Sequence, residues 1–289
     1  MGGVKIYFFW WIFLFCSCSL WNQDEPIAAY LQIGSIDLRT TVAQGSASHR
    51  ITDVWVFRET EFLGMFPLPA RIPLLLEGEQ NLSFQAGVKE NGIGATPVNY
   101  PFFSPMDRRV ILRKMQSDTL NLATTYVAGT RFHFQEHFEA NTSIFSSIVS
   151  GLPENRVLPY AGPEVVEGKY AGRLQFTRTA GPVIVRTSMK FRNTFQAGQP
   201  VFLELDYRSE APCMVGIQFF ETENPEDPGL VVPVAGFRES AGWKRIYFNL
   251  GSALGARRSA FYSVVLQPAL PEGKDGAVVL LDNIRLLSL

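Results

Sequence analysis

Apolar and polar positions alternate in short runs along almost the whole chain. Ala29–Leu38, Arg50–Arg58, Glu61–Phe66 and Gln80–Ala86 are followed by Val110–Met115, Thr119–Val127 and Arg131–Phe138. Later runs are Tyr170–Arg178, Pro182–Phe191, Val201–Arg208, Cys213–Phe220, Leu230–Val234, Trp243–Leu250, Ala260–Gln267 and Ala277–Leu287. A period of two sends alternate side chains to opposite faces of a strand, and Gly, Pro, Asn or Asp punctuates most gaps. Helical periodicity over a dozen residues is found nowhere. Short strands at this spacing predict an all-β chain built from sandwiches. A turn-rich join near Gly129 predicts two β-sandwich domains, residues 27–130 and 131–289. Ser143–Tyr160 is expected to hold a short helical turn or an extended loop.

Composition supports the pattern. The chain has 23 Phe residues among 24 Gly and 18 Pro, many aromatics broken by many turn formers. Lys and Arg total 26, Asp and Glu total 27, and no long block of like charge occurs. Nucleic acid is therefore not an expected partner, because phosphate neutralisation needs a basic patch.

The start of the chain has a different character. Lys5 precedes an apolar run from Ile6 to Phe15, too short to span a bilayer, which takes about 20 residues. A short positive start, a short apolar stretch and a small residue before a cut make a secretory signal over residues 1–17. Phe15-Cys16-Ser17-Cys18 resembles the lipobox of bacterial lipoproteins, which implies a lipid on Cys18 and a polar tether over residues 18–26. Asp24 and Glu25 resemble the acidic export signals of Bacteroidetes-type lipoproteins. The expected location is the cell envelope, at the outer membrane, held by the lipid. Cys213 is then the one free thiol, which excludes an intramolecular disulfide. It lies in a strand-like run and reads as a small core residue.

Two local patterns resemble known modules. Val54-Trp55-Val56-Phe57, the turn Arg58–Glu61, Phe62-Leu63-Gly64, Ile72-Pro73-Leu74 and Glu77-Gly78-Glu79 resemble a PEGA-type surface module. The resemblance implies an immunoglobulin-like sandwich that binds or spaces rather than catalyses. Phe134–Glu139, Trp243–Leu250 and Val279–Leu286 resemble the opening, Trp-bearing and closing strands of jelly-roll modules carried by bacterial carbohydrate-active and surface proteins. That resemblance implies a second sandwich, with Trp243 in its core. It also implies a structural calcium between first and last strands, for which Glu139 and Asp282 supply the oxygen donors that calcium prefers.

Catalytic motifs fail on geometry. His133-Phe134-Gln135-Glu136-His137 spells an inverted zinc-peptidase string, but Phe132, Phe134 and Phe138 share strand parity. On a strand the two histidines stand about 13 Å apart, too far for one zinc. Gly45-Ser46-Ala47-Ser48-His49 lacks the second glycine of a nucleophile elbow and reads as a mobile loop. A phosphate-binding loop signature is absent, and no carboxylate pair is singled out by spacing. Glu221–Pro228 reads as an exposed hairpin loop. Tyr100, Phe102 and Phe103 follow a Gly-rich segment. They either plug the end of the first sandwich or pack between the domains, or else form an exposed aromatic surface, and in that last case they are the partner-binding residues. The sequence thus predicts a non-enzymatic binding or scaffolding protein with an envelope partner. The alternative is a carbohydrate-binding module or an accessory of a carbohydrate-active enzyme.

Overall fold

A computed structural model describes residues 27–289. The expected signal peptide, tether and Cys18 lipid site lie outside the described residues. Among the described residues, no helix is long and apolar enough to cross a membrane.

The first half is a sandwich of two sheets. In one, Ala29–Arg39 is central, antiparallel to Ala70–Leu74 and parallel to Ser117–Thr125. In the other, Asp53–Arg58 lies between Glu61–Pro67 and Gly78–Lys89. The far edge of Gly78–Lys89 is shared by Met106–Leu112 and, at its end, by Pro97–Asn99. Alternation builds the core: Leu31, Ile33 and Ile72 on one side, Val54, Val56, Leu82 and Phe84 on the other. A register shift between Ile33 and Ile36 lets both point inward despite their spacing of three.

Two larger antiparallel sheets form the second half. One runs Ser147–Ser150, Ile184–Arg186, Phe261–Pro268, Cys213–Phe220, Leu230–Phe237. The other runs Leu158–Tyr160, Ala171–Thr177, Gly276–Ser288, Val201–Ser209, Ser240–Asn249, with Arg131–Glu136 extending it beside Gly276–Ser288. Ser143–Tyr160, read as a helical turn or loop, thus supplies two short strands. Leu203, Leu205, Val215, Ile217, Phe248, Val264, Leu281 and Leu286 fill the space between the sheets.

The strand Val201–Ser209 is buried on both faces. Leu203 and Leu205 point into the second sandwich, and Phe202, Glu204 and Asp206 point out of it. What covers the outer face is the first sandwich, whose apolar core is continuous with Phe202, Tyr247 and Leu287. The two halves therefore share a packed interface.

Candidate functional site

The outer face of that second sheet divides into a covered part and an open part. In the covered part Glu204 is fully buried and ringed by donors. The Tyr100 and Tyr126 hydroxyls of the first sandwich donate to it at 2.6 and 2.7 Å, and Arg245 Nη2 at 2.6 Å. Arg285 Nε lies 3.6 Å away. Burial alone would push this carboxyl up, but the Arg245 and Arg285 guanidiniums and the two hydroxyls hold it below the usual glutamate range. Arg285 also donates to the backbone carbonyls of Gln44 and Ser46, at 3.0 and 2.8 Å. The segment read as a mobile loop is instead strapped to the second sandwich, and Ser48 Oγ completes the tie to Asp206 at 2.9 Å.

Next to this cluster the closing strand bulges. Asn283 has φ of 48°, and the register with Val201–Ser209 shifts there, so Asp282 and Asn283 both leave the core face. Asn283 Nδ2 donates to Asp206 at 3.0 Å and to Glu167 at 3.1 Å. Asp282 is buried. Burial, then the charges of Asp206, Glu167 and Glu139, push its carboxyl up to about 8. Glu139, the other expected calcium donor, accepts the Lys169 and Tyr170 amides at 2.8 and 3.0 Å. It holds a loop whose Gly168, at φ of 69°, leaves space for its carboxylate. Glu139 thus holds a turn, and the Asp282 carboxyl is raised by burial and by its acidic neighbours. Among the described residues no group of three or more His, Cys, Asp or Glu side chains is arranged to hold a metal ion.

The open part is a cleft of about 450 Å³. Val278 and Leu280 belong to its floor, with Tyr160, Glu164, Arg173, Arg208, Glu210 and Glu239 around them. The Tyr160 hydroxyl donates to Glu164 at 2.5 Å, and the Arg173 guanidinium lies 5.1 Å from the Tyr160 ring centroid. The hydrogen bond to Glu164 is the main cause that raises the Tyr160 phenol above its usual range and lowers the Glu164 carboxyl. Gly162 permits the arrangement: a Cβ there would sit 2.0 Å from the Tyr160 hydroxyl. Arg173 and Arg208 form neither an ion pair nor a side-chain hydrogen bond among the described residues. Their donors are available to a ligand.

Several expected positions move. Tyr100, Phe102 and Phe103, the candidates for an exposed partner surface, are 0, 0 and 4 % exposed. Their partner is the second sandwich of the same chain: Tyr100 meets Phe202 and Tyr247 edge-on, with centroids 5.2 and 5.0 Å apart. Trp243, expected in the core, lies on the outer face, half-buried, and its Nε1 donates to the Glu164 carbonyl at 2.7 Å. It braces the loop that carries Glu164. His133 is on a strand and bonds Ser288, whereas His137 faces Asn283. Cys213 is buried, and burial pushes its thiol up to about 12. Asp227 closes the 221–228 hairpin loop by accepting the Glu221, Thr222 and Gly229 amides. The cleft residues Tyr160, Arg173 and Arg208 were not anticipated. Arg173 and Arg208 share outward parity on their strands, but nothing local marks two strands as spatial neighbours of a loop.

No protein family matches the chain, and no curated protein does. Among solved structures, several are similar to the chain at low identity. A carbohydrate-binding module from the β-sandwich superfamily, studied for promiscuous specificity, is 13 % identical with a TM-score of 0.39, over 81 % of this chain and 84 % of that one. A family 30 carbohydrate-binding module is 15 % identical with a TM-score of 0.41, over 54 % and 88 %. A cleaved adhesin domain of Lys-gingipain from Porphyromonas gingivalis is 8 % identical with a TM-score of 0.35, over 55 % and 99 %.

Proposed function

We propose that this chain is a non-catalytic glycan-binding protein of the cell envelope, lipid-anchored at Cys18, with its binding site in the Tyr160–Arg173–Arg208 cleft. The observation that carries the reading is the cleft itself. An aromatic ring, an apolar floor and unpaired guanidiniums beside three carboxylates stand on the open part of a sheet face. Sugars are held by this combination: a ring or apolar patch meets their C–H faces, and charged planar groups take their hydroxyls. The competing reading, an envelope protein as partner, loses its one named surface, because the Tyr100, Phe102 and Phe103 rings are buried. The first sandwich, with its PEGA-like pattern, acts as a spacer and as the cover of the other part of the sheet.

A small open cleft with one ring supports weak binding, of millimolar Kd or about 4 kcal/mol. Glycan-array screening of the full chain, followed by calorimetry on the best neutral oligosaccharide, tests it. Tyr160→Ala is expected to weaken binding by roughly 1 kcal/mol, about fivefold, and Arg173→Ala by a similar amount. Binding that survives both substitutions unchanged, or an array with no hit, sinks the glycan reading. The anchor is checked separately: Cys18→Ala should abolish incorporation of labelled lipid, and normal labelling of that variant would remove the envelope assignment.

A further inference from the structure

A second groove, of about 600 Å³, runs where the two sandwiches meet, apart from the glycan cleft. Five cations line it and no carboxylate does: Arg50, Lys89, Arg238, Lys244 and Arg245. Two of them are neutralised. Lys89 Nζ is 2.9 Å from Asp53, and Arg245 lies 2.6 and 3.1 Å from Glu204 and Asp206. The other three, Arg50, Arg238 and Lys244, are exposed and form no ion pair among the described residues. In a chain of net charge −1, three uncompensated cations around one concavity are a local concentration of charge, not a reflection of composition.

The walls are held in place before any ligand arrives. The Arg50 amide donates to the Tyr247 hydroxyl at 2.9 Å, so the first sandwich presents this arginine from a point fixed on the second. The Asn91 amide donates to the Tyr247 carbonyl at 2.8 Å, and the Asn249 amide to Asn91 Oδ1 at 3.1 Å. Gly92, at φ of 71°, lets this turn close on the second sandwich, because a Cβ there would lie 2.7 Å from Ile246. Tyr207 and Phe237, stacked at 4.2 Å, make an apolar wall. A cationic concavity set at a packed junction binds with little reorganisation.

We propose that this groove is an oxyanion site, taking a carboxylate, sulfate or phosphate group on Arg50, Arg238 and Lys244. Guanidinium forks match planar and tetrahedral oxyanions in bidentate fashion, and the ammonium adds a point charge. The source is either a free inorganic anion or an acidic sugar residue. The site uses none of the cleft residues and stands whether or not the cleft binds glycans.

Calorimetric titration of the full chain at low salt separates the sources, with sodium phosphate, sodium sulfate, trigalacturonate and the neutral maltotriose as probes. Heat from the inorganic anions alone identifies a free-anion site, and heat from trigalacturonate alone identifies an acidic-sugar site. Either supports the proposal if Arg238→Glu combined with Lys244→Glu weakens binding at least tenfold. Raised salt should weaken it as well. Arg108→Glu, a cation outside the groove, should leave it unchanged. Both reversed residues are exposed, so an unchanged melting temperature verifies the fold of the double variant. If that variant melts early, Arg50→Ala gives the independent reading. No binding of any oxyanion at millimolar concentration overturns the proposal, as does affinity that both the double variant and Arg50→Ala leave intact.

Discussion

Burial pushes the Asp282 carboxyl up to about 8, and three nearby carboxylates add to the shift. Its Oδ1 accepts the Asn283 amide at 2.7 Å, while its Oδ2 is buried without a partner. A group whose folded pKa lies above its unfolded value of about 4 binds more protons when folded. Stability therefore declines as pH rises from about 4 to about 8, and is flat above that for this group. The slope is about 1.4 kcal/mol per pH unit at most. Asp282→Asn keeps the acceptor and cannot ionise. The variant should match the native chain near pH 4 and exceed it in urea stability at pH 8, with the gap growing in between. A gap that is absent or reversed at pH 8 would show that Asp282 is ionised in the fold. At this scale the sequence offered the Asp-Asn pair but not its meaning: whether two adjacent polar residues ligate, turn or bulge depends on the partner strand's register, which no local pattern carries.

At the scale of elements, alternation was a good guide wherever one face met a core. Asp53–Arg58, Cys213–Phe220 and Phe261–Pro268 all fall on runs with period two or on continuous apolar stretches. What escaped has identifiable causes. Ala70–Leu74 contains Pro73, which reads as a breaker but is tolerated because the strand lies at a sheet edge. In Met106–Leu112 the buried Met106 is followed by Asp107-Arg108-Arg109, whose exposed side chains hide the first half of the strand. The helix Gly251–Ala256 is only six residues long and carries two glycines. They are needed because a Cβ at Gly251 or Gly255 would lie 2.4 or 2.6 Å from the backbone oxygens of Gln199 and Gln196. Trp243 was legible and misread. Ile246, Phe248 and Leu250 are the core positions of their run, so parity alone sends Trp243 to the other face with Arg245 and Tyr247. The jelly-roll resemblance argued the opposite, and the period was the better witness.

At the scale of the whole molecule, the two sandwiches joined near Gly129 share an interface, so the second is expected to be less stable without the first. The outer sheet face of the second sandwich carries Phe202, Tyr247 and Leu287 together with Glu204, Arg245 and Arg285. All six are buried, against the first sandwich or the loop that precedes Asp53. Without residues 27–130, Glu204 loses the Tyr100 and Tyr126 hydroxyls, Arg285 loses three acceptors, and the Tyr100–Phe202, Tyr100–Tyr247 and Phe102–Phe202 contacts vanish. Breaking into a buried charge cluster costs roughly 3–5 kcal/mol, and edge-on aromatic pairs add about 0.5–1.5 kcal/mol each. Water rehydrates the exposed charges in the fragment and returns part of that cost, so a net loss of roughly 3 kcal/mol is the reasonable expectation. At about 3 °C per kcal/mol for a chain of this size, a fragment of residues 131–289 should melt roughly 10 °C below the full chain. It should also bind a hydrophobic dye through the uncovered Phe202–Tyr247–Leu287 patch. The Tyr160 cleft lies within the fragment, so its weak glycan binding should persist, whereas the oxyanion groove, which needs Arg50, should not. A fragment that melts within about 2 °C of the full chain and ignores the dye would mean that the two sandwiches merely touch.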